Sequence, residues 1–190
     1  MKKILLPLFC IILCFGCKSV RQARNLKDCS YNIVGISDIQ AGSVELDGKT
    51  SYKDFSVNDV AGLSHLLMKK QLPISFTAHI AIHNPNAETA ALQSLDWILV
   101  MRDKEIARGF LPHTVHIQAK EKVVLELPVQ TDLSALLSTF SMQELSAMIF
   151  NFSSKKVFKD DVKLKIRPAV QVGKKYIKTP NYFTIDIPVQ

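Results

Sequence analysis

The sequence predicts a mainly β protein, an antiparallel β-sandwich with a few short helices. In most segments of the chain, apolar and polar residues alternate with a period of two, which is typical of strands with one buried face. These segments are short and follow one another closely. They are separated by turn signals such as Asp47-Gly48 and Asn84-Pro85-Asn86, an order that favours a sandwich.

The first half of the chain, beyond residue 30, is expected to form three strands and one helix. The strands are predicted at Tyr31–Ile39, Ser43–Leu46 and Ile74–His83. Before the third strand, Ser56 and Asp59 form a capping box. Apolar residues then recur at helical spacing at Val57, Val60, Leu63 and Leu67. We therefore expect an amphipathic helix of about four turns that ends at Leu72-Pro73.

The second half is expected to form further strands and a helical link. The strands are predicted at Leu92–Met101, Ile106–Phe110, Thr114–Gln118, Lys122–Val129, Val157–Arg167 and Tyr182–Val189. The first of these is apolar on both faces, which predicts a central strand. On that strand, Asp96 should point away from Trp97, toward water or a base on a neighbouring strand. Helical spacing over Asp132–Phe152, with a capping box at Ser141 and Glu144, predicts two short helices.

The N-terminal residues predict export and lipid attachment. Lys2 and Lys3 precede the apolar run Ile4–Phe15, and Gly16 places a small residue directly before Cys17. This order is that of a secretory signal peptide. It resembles the bacterial lipoprotein type, in which the peptide is cut before a lipid-modified cysteine, here between Gly16 and Cys17. The apolar run is shorter than the roughly 20 residues that span a bilayer, so a transmembrane anchor is the weaker alternative.

The segment after Cys17 bears on which membrane holds the protein. With residues 1–16 as the signal peptide, we expect residues 17–30 to form the lipidated N terminus and tether, and residues 31–190 to form the domain. Lys18–Lys27 is basic. It has neither the acidic run of many surface-exposed lipoproteins nor the aspartate that retains many enterobacterial lipoproteins in the inner membrane. We therefore expect an anchor in the outer membrane of a bacterial envelope, with the domain facing the periplasm.

Composition restricts the partners and the redox chemistry of the chain. The formal net charge is +7, and part of it is lost with Lys2 and Lys3. The domain is thus only modestly basic, and nucleic acid is not an expected partner. Cys29 and Cys17 are the only cysteines that remain after processing, so a disulfide within the chain is not expected. We expect Cys29 to be a buried, inert thiol.

The residues that carry catalysis or bind metals in other proteins form no recognisable motif in this chain. His79 and His83 share a strand face, but four residues along a strand separate them by about 13 Å, too far for one zinc ion. A cross-strand contribution from His113 or His116 stays open, although structural histidines are the simpler interpretation. A nucleophile elbow and a phosphate-binding loop are both absent. We predict no catalytic residue, no metal and no cofactor, and therefore a protein that is not an enzyme.

Cations concentrate near the C terminus. Lys163, Lys165 and Arg167 alternate with Val162, Leu164 and Ile166, which places three positive charges on one strand face. Such a face is a candidate binding surface for anionic headgroups or for an acidic partner. The favoured alternative is a solvated strand whose lysines prevent pairing at a sheet edge.

A more specific pattern lies in residues 80–109. One strand ends in Asn84-Pro85-Asn86, the next contains Trp97, and the returning strand carries Ile106-Ala107-Arg108-Gly109. This pattern resembles the late embryogenesis abundant type 2 family, whose members share the domain named for water stress and hypersensitive response. The similarity extends from Ile33 to Pro188. The turn at Arg102–Glu105 lacks the glycine that is usual in this family.

The resemblance implies an immunoglobulin- or fibronectin-like sandwich with no catalytic residues, and a stress-associated role in protecting proteins or membranes. Combined with the lipid anchor, it predicts a non-enzymatic envelope protein that binds or protects envelope proteins or the membrane under stress. The alternative is a structural accessory subunit of an envelope complex, which would use the helix at Ser56–Leu72 as its docking surface. In both cases the membrane is a partner through the anchor, and a protein partner in the envelope is a candidate.

Overall fold

The structure, a computed structural model, describes residues 21–22, 25–49, 51–101, 103–134, 162–172 and 175–186. The predicted signal peptide, Gly16 and Cys17 lie outside these residues. In the part of the chain that is described, no helix is both long enough and apolar enough to cross a membrane.

Within these residues the chain forms eleven strands and one α-helix whose two ends are described, and residues 21–22 and 25–27 are also helical. The strands are β1 Ser30–Ala41, β2 Val44–Glu45, β3 Pro73–His83, β4 Ala90–Leu92, β5 Ser94–Met101, β6 Lys104–Leu111, β7 Val115–Ile117, β8 Lys122–Asp132, β9 Val162–Val172, β10 Lys175–Lys178 and β11 Phe183–Asp186. The helix, α1, is Val57–Met68, and a 3-10 turn at Tyr52–Asp54 precedes it. The mainly β class is confirmed, whereas β10 was not predicted and β4 was not separated from β5.

The strands pair into two larger sheets and one small sheet. Sheet A has the order β2-β1-β3-β8, and sheet B has the order β10-β9-β5-β6, with β11 also paired to β9. Strands β4 and β7 form the two-stranded sheet. All the described pairs are antiparallel. The predicted central position of β5 is confirmed, because this strand lies between β6 and β9.

Alternation along the strands builds one hydrophobic core to which both larger sheets contribute. Sheet A provides residues such as Ile33, Ile80 and Leu125, and sheet B provides residues such as Leu99, Leu164 and Ile185. Removing apolar surface from water stabilises the fold by roughly 25 cal/mol per Å². This shared burial therefore supplies the main attraction between the two sheets.

Helix α1 begins as predicted and ends earlier than predicted. Ser56 and Asp59 form the expected capping box, each side chain accepting a hydrogen bond from the other residue's backbone N–H. At the other end, Lys70 adopts a left-handed φ of 54°. The Lys70 N–H bonds the Leu67 carbonyl and the Gln71 N–H bonds the Leu66 carbonyl. These two bonds form a Schellman motif, which ends the helix at Met68 rather than at Leu72.

The apolar face of α1 differs from the predicted one at the N-terminal end of the helix. Leu63 and Leu67 pack against the core as expected, and Leu66 joins them. Val57 and Val60 instead point away from the core, and Val57 is 85% exposed. A Cβ on Gly62 of the helix would lie only 2.8 Å from Cγ2 of Val44, so this glycine lets α1 lie directly against β2.

Acidic side chains shape two of the turns. Asp103, between β5 and β6, adopts a left-handed φ of 61°, a conformation that aspartate tolerates better than most residues. It thus occupies the turn in which the expected glycine is missing. At the end of β8, the carboxylate of Asp132 accepts a hydrogen bond from the Ser134 N–H at 2.9 Å, as expected of a helix cap. The two helices predicted after Ser134 lie outside the described residues.

Trp97 and Gly109 pack closely against each other across β5 and β6. They are direct cross-strand partners, and the indole of Trp97 is buried. A Cβ on Gly109 would clash with Cζ2 of Trp97. The indole therefore occupies the space that any other side chain at position 109 would need.

Replacing Gly109 with alanine should therefore destabilise the protein. We expect G109A to lower the free energy of unfolding by about 1–3 kcal/mol, because the indole or the strand must shift to admit the methyl group. Urea denaturation followed by tryptophan fluorescence measures the change. The matched control is G35A on β1, where the nearest atom, Cδ2 of His79, is 3.7 Å from the new Cβ. Equal effects of the two substitutions would contradict the packing argument.

Candidate functional site

The described chain begins with residues that are packed onto the domain. Leu26 and Cys29 belong to the hydrophobic core, although the sequence predicts a tether over residues 17–30. The Asn25 side chain donates a hydrogen bond to the Thr89 carbonyl at 3.2 Å, and the Tyr31 hydroxyl donates to the Leu26 carbonyl at 3.0 Å. We call residues 25–29 the docked segment, because burial and hydrogen bonds hold them in place.

The turn at Asn84-Pro85-Asn86 holds this segment. Asn84 is fully buried, and its side-chain N–H groups donate to the carbonyls of Glu88, Ile117 and Gln118 at 2.9–3.0 Å. The Asn86 side chain donates to the Asn25 carbonyl at 2.9 Å. Residues 84–89, residues 118–121 and the docked segment thus form one end of the domain, which we call the Asn84 end.

Arg21, the first described residue, also lies at the Asn84 end. Its guanidinium is 3.8 Å from the Glu88 carboxylate, and both side chains are exposed, so the pair adds little stability. An open cleft of about 570 Å³ separates residues 21–22 from the loops at 87–89 and 118–119. The chain therefore leaves the domain toward its N terminus at the Asn84 end.

Lys163, Lys165 and Arg167 lie on one face of β9, as predicted, and the alternate residues Val162, Leu164 and Ile166 are buried. Strand β9 is paired with β5 on one side and with β10 and β11 on the other. Because β9 is not an edge strand, the interpretation that its lysines protect a sheet edge is wrong.

Arg167 is bound within the protein rather than presented to a ligand. Its guanidinium donates two hydrogen bonds to Asp96, at 2.8 and 3.1 Å, and Lys178 donates a third at 2.7 Å. The guanidinium also lies 4.6 Å from the ring centre of Tyr182, a cation–π contact. Asp96 therefore meets cross-strand bases on the face opposite Trp97, as the sequence predicted.

The two lysines of this face differ in their surroundings. Lys163 lies 3.5 Å from Asp103, and both side chains are largely exposed. Lys165 is close enough to Glu105 for its charge to help lower the pKa of that carboxyl, after the larger contribution of the hydrogen bond from Arg108. The three predicted binding cations thus share a face, but each has an acidic neighbour.

Exposed apolar side chains lie on sheet B beside this network. Phe110, Tyr176 and Ile177 are 50%, 45% and 50% exposed. Tyr176 and Ile177 are consecutive residues of β10 and so project from opposite sides of that strand; we call the three residues together the aromatic patch. The rings of Phe110 and Tyr176 meet edge to face with centroids 6.1 Å apart. Their strands, β6 and β10, lie at opposite edges of sheet B, so β10 must bend across the outer face of the sheet.

Among the described residues, His79 and Cys29 have surroundings that the structure defines in detail. Nε2 of His79 lies 2.9 Å from the Ser37 hydroxyl, with which it forms a hydrogen bond. Within the described ranges, no three His, Cys, Asp or Glu side chains are grouped so as to hold a metal ion. Burial, followed by the charge of Asp28, raises the pKa of the Cys29 thiol to about 11. This thiol is therefore protonated near neutral pH and is a poor nucleophile.

Comparison with known proteins identifies the family. The type 2 family model described as "Late embryogenesis abundant protein" matches residues 79–189, more than half of the chain. The chain belongs to the late embryogenesis abundant (LEA) type 2 family. In this LEA type 2 protein, Asn84, Trp97 and Gly109 lie within the matched range. The docked segment, β1, β2 and α1 precede it.

Three solved structures are similar to this LEA type 2 protein. A protein from Archaeoglobus fulgidus is 12% identical, with a TM-score of 0.36, over 80% of this chain and 92% of that one. A solution structure described as a late embryogenesis abundant (LEA) protein is 14% identical, with a TM-score of 0.39, over 98% and 88% of the two chains. An Arabidopsis thaliana protein is 18% identical, with a TM-score of 0.36, over 62% and 72%. The curated proteins contain no match to the sequence.

Sequence reasoning missed the aromatic patch of this LEA type 2 protein. The segment Lys175-Tyr176-Ile177-Lys178 contains its signal, two apolar residues between two lysines, but the segment is too short to stand out as a strand. The contact with Phe110 depends on the bending of β10, which local alternation does not encode.

The Asp96 network should make stability depend on pH. Burial raises the pKa of Asp96, but hydrogen bonds and charges from Lys178 and Arg167 lower it by more, so that the net pKa is below the ordinary value. A carboxyl whose pKa is lower in the folded state stabilises the protein above its unfolded pKa of about 3.9, and this contribution is lost as the pH falls through the folded pKa.

We therefore expect the free energy of unfolding to fall as the pH is lowered below about 4, and to fall less steeply in D96N. Urea denaturation at a series of pH values measures both slopes. D103N is the matched control, because Asp103 is exposed and its ion pair with Lys163 is long. Should D96N and the wild type have identical pH profiles, the network would not contribute in this way.

Proposed function

We propose that this LEA type 2 protein is a lipid-anchored, non-enzymatic protein of a bacterial cell envelope that binds or protects envelope proteins or the membrane under stress. The observation that carries the proposal is the sequence Gly16-Cys17 directly after a short apolar run, in the same chain as an LEA type 2 domain. The first feature supports export and lipid attachment, and the second supports a stress-related role.

The hydrogen-bond partners of the buried polar groups support a role without catalysis. The Asn84 side chain donates its hydrogen bonds to backbone carbonyls, and the Asp96 carboxylate accepts hydrogen bonds from Arg167 and Lys178. Cys29 is protonated near neutral pH because its pKa is raised to about 11. Asn84 and Asp96 thus have structural roles, and Cys29 is a protonated member of the hydrophobic core.

The location and the finer fold belong to the same proposal. The basic segment Lys18–Lys27 supports the inner leaflet of the outer membrane, with the domain facing the periplasm. The core shared by sheets A and B supports an immunoglobulin- or fibronectin-like sandwich. Lys163 and Lys165 remain the proposed contacts for the anionic surface of an acidic partner, because Arg167 is held by Asp96.

Changing Cys17 to serine tests the anchor. We expect C17S to abolish the incorporation of a labelled fatty acid and to leave residues 1–16 attached, because the cysteine sulfur accepts the lipid before cleavage. Metabolic labelling and intact mass measure the two effects. C14S is the matched control and should mature normally. Unchanged lipid labelling of C17S would refute the proposal.

One observation favours the alternative, an accessory subunit of an envelope complex. Val57, Val60 and Met68 are exposed on α1, and their spacing of three and eight residues places them on the same helix face. This face points away from the core and offers an apolar surface to a protein partner.

Gentle detergent extraction separates the two functions. An accessory subunit should elute from size exclusion as a stable complex, and the triple variant V57S/V60S/M68Q should elute as a monomer, because its apolar contact is lost. A protective protein should elute as a monomer in both forms and should suppress the aggregation of a heated test enzyme, measured by light scattering. A monomer without protective activity would count against both functions.

A further inference from the structure

The length of chain between the proposed anchor and the domain limits how far the domain can be from the bilayer. Arg21 lies at the Asn84 end, beside Glu88. The four residue steps from Cys17 to Arg21 span at most about 14 Å when fully extended. Since a lipidated Cys17 lies at the level of the headgroups, the Asn84 end must lie within about that distance of the membrane surface.

The pairing of strands places one end of sheet B at this same end of the domain. Tyr31, near the start of β1, pairs with Ile82, two residues before Asn84. Its ring stacks on Phe183 with centroids 5.8 Å apart. Phe183 in turn pairs with Ile166 of β9. Ile166 therefore lies at the level of the Asn84 end.

Strand β10 extends further in the same direction. Strand β9 runs past Ile166 to Val172, and its last residues pair with Lys175–Lys178. The aromatic patch, Phe110, Tyr176 and Ile177, thus lies toward the same end of the domain as the point from which the chain leaves for Cys17. Helix α1, which packs beside Val44 of β2, lies at the opposite end of β1.

The side chains at this end suit the interface of an anionic bilayer. Two aromatic rings and an isoleucine, each about half exposed, offer apolar groups of the kind that enter the headgroup region. Lys175 is exposed two residues before Ile177, on the same side of β10, and a long lysine side chain reaches phosphates while its methylenes cover apolar surface. Lys178 is bound to Asp96. It therefore holds β10 in position and is not one of the proposed lipid contacts.

We propose that the aromatic patch, with Lys175, inserts into the headgroup region of an anionic bilayer next to the lipid anchor. The domain is then held at the membrane at two points, and its orientation is fixed with α1 facing away from the bilayer. This inference rests on the proposed lipid attachment at Cys17. The experiment below separates the failure of one from the failure of the other.

The test uses the full lipidated chain in vesicles of phosphatidylethanolamine and phosphatidylglycerol. I177C carries an environment-sensitive dye. Cys17 is blocked by lipid, and the buried Cys29, with its pKa of about 11, is protected from the label. We expect the emission of the dye at position 177 to shift to the blue and to be quenched by brominated lipids. V57C, labelled in the same way on α1, is the matched control and should show neither effect.

Substitutions in the aromatic patch and at Lys175, and vesicles without negative charge, test whether apolar insertion and attraction between opposite charges both contribute. F110S/Y176S and K175Q should each reduce the blue shift at position 177, as should replacing phosphatidylglycerol with phosphatidylcholine. An unchanged shift in neutral vesicles would overturn the role of negative charge.

Three further outcomes are distinct. A chain that is lipidated and vesicle-bound but shows no shift at position 177 overturns this inference and leaves the anchor intact. A chain that carries no lipid overturns the proposed function itself. A shift that rises with protein density and resists brominated lipids would assign the patch to a second copy of the chain, against this inference.

Discussion

The buried side chain of Asn84 is the constraint on which the arrangement of this end of the molecule depends. Its amide donates to three backbone carbonyls from two separate loops, and its own oxygen accepts the Asn86 N–H. Aspartate has the same shape, but a carboxylate facing three carbonyls would be repelled. Each buried donor or acceptor that is left without a hydrogen-bond partner lowers the free energy of unfolding by about 1–3 kcal/mol. Because Asn86 then holds Asn25, this one amide joins the end of β3 to the docked segment.

The predicted part of the fold is the part that local rules determine. Alternation predicted most strands, the buried side of β9 and the orientation of Asp96, because the two faces of a strand follow from a period of two. The capping box at Ser56 was equally local. The end of α1 was not predicted, since Lys70 takes a left-handed conformation usually left to glycine. The central position of β9 was also missed, because alternation does not state which strands are neighbours.

The candidate site shows the same division between local and long-range information. The sequence placed Lys163, Lys165 and Arg167 on one face correctly. It gave no sign that Lys178 would reach Asp96 and, with it, bind Arg167 into a structural network, because that contact joins residues 82 positions apart. The apolar groups that now stand out, Tyr176 and Phe110, come from strands at opposite sheet edges. A binding surface of this kind exists only after the sheet has twisted.

The stacking of Tyr31 on Phe183 has a consequence for the order of folding. These rings belong to the first and last described strands, and β11 adds Ile185 to the same core. Contacts between residues so far apart in sequence form slowly, because a long loop must close before they are made. If the chain is exported N terminus first and lipidated as we propose, it receives its lipid while β9 and β11 have still to emerge. The core would then be completed on a chain already tethered, where aggregation with neighbours competes with the last strand to arrive.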